Sequence, residues 1–327
     1  MSAKINRALN EIELNRPVLA KSKSSSTTDE CLEELETAVV LGQWPAASEL
    51  QFMPNPYYLY SLQPAVTPQM RAILLDWMFE VSSEFALKRP TVYLAVSLLD
   101  RFLSVYPNIL KEKFQLVGLV ALFTAAKYEE LAPPSLQDWL RTASYGYSRE
   151  EVKATERLLL HKLQWRLASS TACTVLNWLM SEWETKHSLH LSFKQPNRSS
   201  YKQFRQAMQV LDAVLMDANS LVFPPSVLAC SVFLLQVASH LGHMRAAESL
   251  CAEFFSQRLG LASLEPLREA LEFLRPYCLL ETSKQLPKVC QTTPREQIER
   301  HYEEFLSYQT YSGSNLEFVK QVLRRTL

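Results

Sequence analysis

The stretch TPQMRAILLDWMFEV, residues 67 to 81, sets an arginine and an aspartate inside a run that is otherwise almost wholly apolar. At helical spacing Met70, Ile73, Leu74, Trp77 and Val81 form one stripe, while Ala72, Leu75, Met78 and Phe79 cover the remaining sides. An unpaired guanidinium in such a helix costs several kcal/mol, so Arg71 needs a buried anion. Asp100, in SLLDRFLS, is the residue that fits, and Asp76 reads as a local structural partner. A second pair of charges interrupts apolar helical faces: Lys127 in FTAAKYEEL and Glu156 in KATERLLLHKL. Such a pair either joins two helices as a partly buried ion pair or serves a binding role. His240 with His243, and His187 with His190, have spacings found in metal sites, but no third ligand cluster accompanies them, so they read as helix-end or surface residues. No GxGxxG, GxxxxGK[ST] or GxSxG motif occurs, and nothing supports nucleotide binding or nucleophilic catalysis. The chemistry on offer is recognition, not catalysis, and it calls for no cofactor.

Helices must position these residues. The chain of 327 residues is 47% hydrophobic, enough for a substantial core, and its 6 glycines against 17 prolines suit helices broken by proline-containing connections better than glycine-rich strand turns. An all-α fold is expected. With 34 basic and 34 acidic residues the formal net charge is zero, so the electrostatic footprint of a nucleic-acid binder is missing and a protein partner is favoured. No run approaches 18 apolar residues and the first 30 residues lack a signal-peptide core, so no membrane span is expected and the chain should lie in the cytoplasm or nucleus. Six scattered cysteines with no CxxC pair read as reduced core residues.

Along the chain, the serine-rich residues 1 to 30 read as a flexible tail, and FMPNPYYLYSLQP as an irregular arm broken by Pro54, Pro56 and Pro64. Five helices follow at about 68–86, 90–104, 111–130, 134–144 and 148–163. Their starts are signalled by Thr67-Pro68, Arg89-Pro90, Pro133-Pro134, and the Ser148/Glu151 capping box. A helix through STACTVLNWLM joins them to a second series at about 201–219, 225–240, 245–259, 263–281 and 294–308. The helix that is apolar all round should be central to the first bundle.

The segments MRAILLDWMFEV, YLAVSLLDRFLS, KFQLVGLVALFTAAKYEELAPPS and TERLLLHKLQWRL, in this order and spacing, resemble the cyclin box of A/B/E-type cyclins, with cyclin E the nearest type. LVFPPSVLACSVFLL and LEPLREALEFL look like the second cyclin fold. The resemblance implies two tandem five-helix cyclin-box folds with an N-terminal arm: a tail over 1–43, the first box with its arm over 44–168, the second fold over 169–310 and a C-terminal tail over 311–327. It implies a regulatory subunit, not an enzyme, that binds and allosterically activates a cyclin-dependent kinase in the cell cycle. Lys127 and Glu156 match the residues that reach the kinase's C-helix, with Thr124, Tyr128, Glu129, Leu131, Leu160, Trp165 and Leu167 packing around them. Met70, Ile73, Leu74, Trp77 and Gln115 match the shallow patch that docks Arg-x-Leu segments of substrates and inhibitors, and Glu80 matches the carboxylate that receives the cation. Arg71 and Asp100 match a structural polar network. Two alternatives share the fold or the family: a general transcription factor of the TFIIB kind, disfavoured by neutral charge and the lack of a zinc ribbon, and an F-box-bearing cyclin, for which residues before 54 show no convincing F-box. The RPVL at Arg16–Leu19 matches the short core of a destruction box, and Thr293-Pro294 reads as a helix start more than as a phosphodegron.

Overall fold

A computed structural model describes residues 49–143, 146–188, 198–261 and 263–278, and every regular element among them is helical. The arm contributes a 3-10 turn at Leu50–Phe52 and the single-turn α1 (Tyr58–Ser61). The first bundle is then α2 (Pro68–Glu84), α3 (Arg89–Val105), α4 (Lys111–Glu129), α5 (Leu136–Thr142) and α6 (Arg149–Lys162). A second series follows: α7 (Ala172–Ser188), α8 (Arg198–Met216), a 3-10 turn at Ala218–Val222, α9 (Pro225–Leu241), α10 (Met244–Leu259) and α11 (Glu265–Cys278). The helix expected over 294–308, Arg16–Leu19 and Thr293-Pro294 lie outside the described residues.

Local chemistry sets several of these ends. The Thr67 hydroxyl accepts from the Met70 amide at 3.2 Å, with Pro68 in the first turn. The Ser148 hydroxyl accepts from the Glu151 amide while the Glu151 carboxylate accepts from the Ser148 amide, a reciprocal box. The Pro133-Pro134 start for α5 needs correction: the helix begins later, at Leu136, because Ser135 and Asp138 form the box. The α9 and α10 helices stop at Gly242 (φ 78°) and Gly260 (φ 66°), left-handed positions that suit glycine.

The central helix of the first bundle is α4 and not α2. Every residue from Leu116 to Ala126 is buried, and α4 packs against α2, α3, α5 and α6. Its small residues make this possible, since Gly118 lets α2 approach so closely that a Cβ there would sit 2.8 Å from Leu74 Cδ1. Gly118→Val is therefore expected to lower the unfolding free energy by about 1–3 kcal/mol through overpacking, read by urea denaturation. In α2 itself Ala72, Leu75, Met78, Phe79 and Val81 face the core, whereas Met70, Ile73 and Trp77 stay half-exposed. The second series repeats the design around α9, which is buried continuously from Ser226 to Leu235 and packs against α7, α8, α10 and α11. The joining helix is thus a full member of this bundle, locked by Trp183 edge-on to Phe233 and Phe254 at 5.3 and 5.2 Å. Cys173, Cys230 and Cys251 are buried free thiols; burial pushes Cys173 and Cys251 up to about 12, which keeps them protonated and unreactive.

Candidate functional site

Arg71 lies at 0% exposure and is fully engaged. Its Nε and Nη2 donate to the two oxygens of Asp100 at 2.8 and 2.7 Å, a bidentate fork, and Nη1 donates to the Leu215 carbonyl at 3.0 Å. The Tyr58 hydroxyl, from the arm, donates to Asp100 Oδ1 at 2.7 Å. Burial opposes the guanidinium charge, but Asp100 outweighs it and holds Arg71 protonated; burial and then Asp100 push the Tyr58 phenol well above its usual range. This network joins the arm, α2, α3 and the end of α8. A second tie is Asp212 of α8, which accepts from Arg89 at 2.7 Å and from the Tyr93 hydroxyl at 2.9 Å.

Lys127 and Glu156 are brought together across α4 and α6, joined by a short hydrogen bond, and the Thr124 hydroxyl donates to the same Glu156 oxygen at 3.2 Å. The Lys127 ammonium sits over the Phe123 ring, 4.2 Å from its centroid. Thr124 is buried, so it positions Glu156 from below. The Lys127 side chain is 42% exposed and the Glu156 side chain 13%, so the pair lies at the surface with its inner edge supported. The apolar groups expected beside it divide by exposure. Tyr128 is 52% exposed, Leu131 98% and Trp165 70%, so none of the three is core. Glu129 is half-buried at the end of α4, while Leu160 is buried and Leu167 half-buried against the core, so these last two leave little surface for a partner.

Trp165 is held in an unusual backbone state. After α6 the chain turns through Gln164 (φ 54°) and Trp165 (φ 61°), with the Trp165 amide bonded to the Leu160 carbonyl at 2.9 Å. A glycine suits this position, and a tryptophan there stores roughly 1–2 kcal/mol of strain. The turn places an indole on the surface beside Arg166.

The second set gathers on α2. Met70, Ile73, Trp77 and Glu80 are half-buried along one face, and Gln115 of α4 is exposed, accepting a long bond from the Tyr147 hydroxyl at 3.5 Å. Leu74 departs from the expected stripe: it is buried at 5% exposure under Gly118, so it supports the face without lining it. Asp76 is buried at 4% exposure.

Several residues of the site region escape sequence reasoning. Phe52 of the arm lies under two guanidinium groups, Arg101 at 5.0 Å and Arg166 at 4.9 Å, and Arg101 donates to the Arg166 carbonyl at 2.6 Å. Burial, and then the neighbouring Arg166, push Arg101 down to about 10. Gln63, at 0% exposure, donates to the Leu103 and Tyr106 carbonyls and accepts from the Ile109 amide, fixing the α3–α4 connection. Glu49 accepts from the Ser226 amide at 3.1 Å and from its hydroxyl, serving as the cap that Pro224 cannot supply to α9. Burial raises the Glu49 carboxyl, and the Ser226 bonds pull it back. Among the described residues no group of His, Cys, Asp or Glu side chains could hold a metal ion, and no helix is long and apolar enough to cross a membrane.

Residues 44–168 match the family described as cyclin, N-terminal domain. G1/S-specific cyclin-E of Hemicentrotus pulcherrimus is 36% identical over 170 residues, which cover 51% of this chain and 40% of that protein. Cyclin-A3-2 of Oryza sativa subsp. japonica is 38% identical over 178 residues, 54% of this chain and 43% of that protein. Cyclin-A1 of Xenopus laevis is 30% identical over 238 residues, 71% of this chain and 53% of that protein. The chain thus spans about half or less of the length of these relatives. Among solved structures, a viral cyclin from herpesvirus saimiri superposes with a TM-score of 0.55 at 21% identity, covering 71% of this chain and 95% of that one, which shows the fold.

Proposed function

Because this chain belongs to the cyclin family, of the A/B/E type, we propose that it is the regulatory subunit of a cyclin-dependent serine/threonine kinase, working in the nucleus and cytoplasm during the cell cycle. One observation carries the reading: a charged pair, supported from below, lies at the surface, and three large apolar side chains on the same two helices or the segments just after them, Tyr128, Leu131 and Trp165, are exposed as well. Exposed apolar side chains together with a fixed polar pair are the makeup of an interface, in which aromatic residues carry much of the binding energy. Lys127 and Glu156 would bond the open polar groups at the end of the kinase's C-helix, and Trp165 and Tyr128 would supply area. Only the kinase conformer with that helix turned inward fits this face, so binding shifts the population toward the active state. The α2 face would recruit Arg-x-Leu segments of substrates and inhibitors, the cation on Glu80 and the leucine on Met70, Ile73 and Trp77.

The test is the activity of a purified monomeric cyclin-dependent kinase on a basic protein substrate, with and without this chain. Stimulation supports the reading; a chain that binds no kinase, or binds and leaves activity unchanged, removes it. A finer outcome is expected at Trp165. Trp165→Gly relieves the left-handed strain, so the variant should be more stable by about 1 kcal/mol. It should also bind the kinase at least tenfold more weakly, since an exposed aromatic is lost. Thermal melting and a binding titration on the same preparation check both halves.

A further inference from the structure

We propose that residues 324–327 of this chain, Arg-Arg-Thr-Leu, occupy its own α2 face and compete with incoming Arg-x-Leu segments; this rests on the docking reading above. The face continues beyond Glu80. Met70, Ile73, Trp77, Glu80 and Glu84 follow at steps of three and four residues and so share one side of α2. Three half-buried apolar side chains lie toward its start, and two carboxylates one turn apart lie toward its end. Among the described residues neither Glu80 nor Glu84 takes part in an ion pair. A well-matched ligand has two adjacent cations followed closely by a leucine, one charge for each carboxylate and one apolar group for the floor.

Arg324, Arg325 and Leu327, which lie outside the described residues, supply that pattern. The other segments of this kind fit less well. Arg7-Ala8-Leu9 carries one cation and is followed by Glu11, which the two carboxylates would repel. Arg16–Leu19 has one cation and a wider gap. Arg101-Phe102-Leu103 and Arg157-Leu158-Leu159 lie within α3 and α6, where Leu103 and Leu159 are at 0% exposure. Length is no obstacle. The 45 residues between Cys278 and Arg324 reach at most roughly 150 Å when extended, against a radius of gyration of about 20 Å for a compact fold of 327 residues. A segment tethered this way acts at high effective concentration, so even a weak contact excludes much of a free competitor.

The test is fluorescence polarisation with a labelled Arg-Arg-x-Leu peptide. The titrants are the full chain, an Arg324→Ala/Arg325→Ala/Leu327→Ala variant, an Arg7→Ala/Leu9→Ala variant, and each of these with Trp77→Ala, with melting curves to show that all are folded. The 324–327 variant is expected to bind the peptide about tenfold tighter than the parent, and Trp77→Ala to remove that binding. Equal, Trp77-sensitive binding by the parent and the 324–327 variant would overturn the inference and leave the docking reading intact. Tightening in the Arg7/Leu9 variant alone would also overturn it. No binding by any of the proteins would remove the docking reading itself, and the inference with it.

Discussion

On the proposed kinase-binding reading, Lys127→Glu is expected to weaken binding to a cyclin-dependent kinase by about 100-fold or more while changing the chain's own stability by less than about 1 kcal/mol. The two effects separate because the Lys127–Glu156 bridge sits at the surface, with the Lys127 side chain 42% exposed, and such pairs contribute little to folding. In a complex the same charges would be covered, and removing one partner of a covered, hydrogen-bonded pair costs about 2–5 kcal/mol, of which 2.7 kcal/mol is already 100-fold. The discriminating protein is the swap, Lys127→Glu with Glu156→Lys. It restores an ion pair between α4 and α6 but reverses what a partner meets. If the pair were only a helix tie, the swap would recover whatever the single variants lose. If it faces the kinase, the swap stays inactive in a pull-down and in the kinase assay.

The largest loss of stability is expected at the Arg71–Asp100 fork. Asp100→Ala leaves a guanidinium at 0% exposure with one carbonyl partner and strips the Tyr58 hydroxyl of its acceptor. Breaking a buried pair from one side costs about 3–5 kcal/mol, or roughly 10 °C in melting temperature for a chain of this class. Arg71→Met should lose a comparable amount, since Asp100 is then the orphan. The double variant Arg71→Met/Asp100→Leu removes both charges and should be less damaged than either single change. A double variant as unstable as the sum of the singles would show that the two residues do not act as a unit.

What could be read in advance divides along the range of the interactions. The bounds of α2, α3, α4 and α6 follow from signals only a few residues long, such as Thr67-Pro68 and the Ser148/Glu151 box, and from continuous apolar periodicity. The pairing of Arg71 with Asp100 was also legible, because a buried cation demands an anion and few were available. The central place of α4 was not. A helix apolar on all sides says that it is covered, not which side is left open, and the small residues of α4 decided that α4 takes the centre. At the candidate site, type and position were visible for Lys127 and Glu156, whereas the exposure of Leu131 and Trp165 and the burial of Leu74 depend on how helices distant in sequence come together. Glu49, Gln63 and Asp212 gave no local signal at all. Their partners lie 177, 40 to 46, and 119 to 123 residues away.

The bond between Glu49 and Ser226 closes a loop of 177 residues. Chain entropy makes so long a closure a late event, after α9 has formed from its neighbours and both bundles have packed. What assembles last is also released first when the native state breathes. The Ser226 amide therefore serves as a clock for the arm: deuterium should enter there through partial opening, while the amides of Phe233 and Leu234, in the same helix, exchange only when the second bundle comes apart.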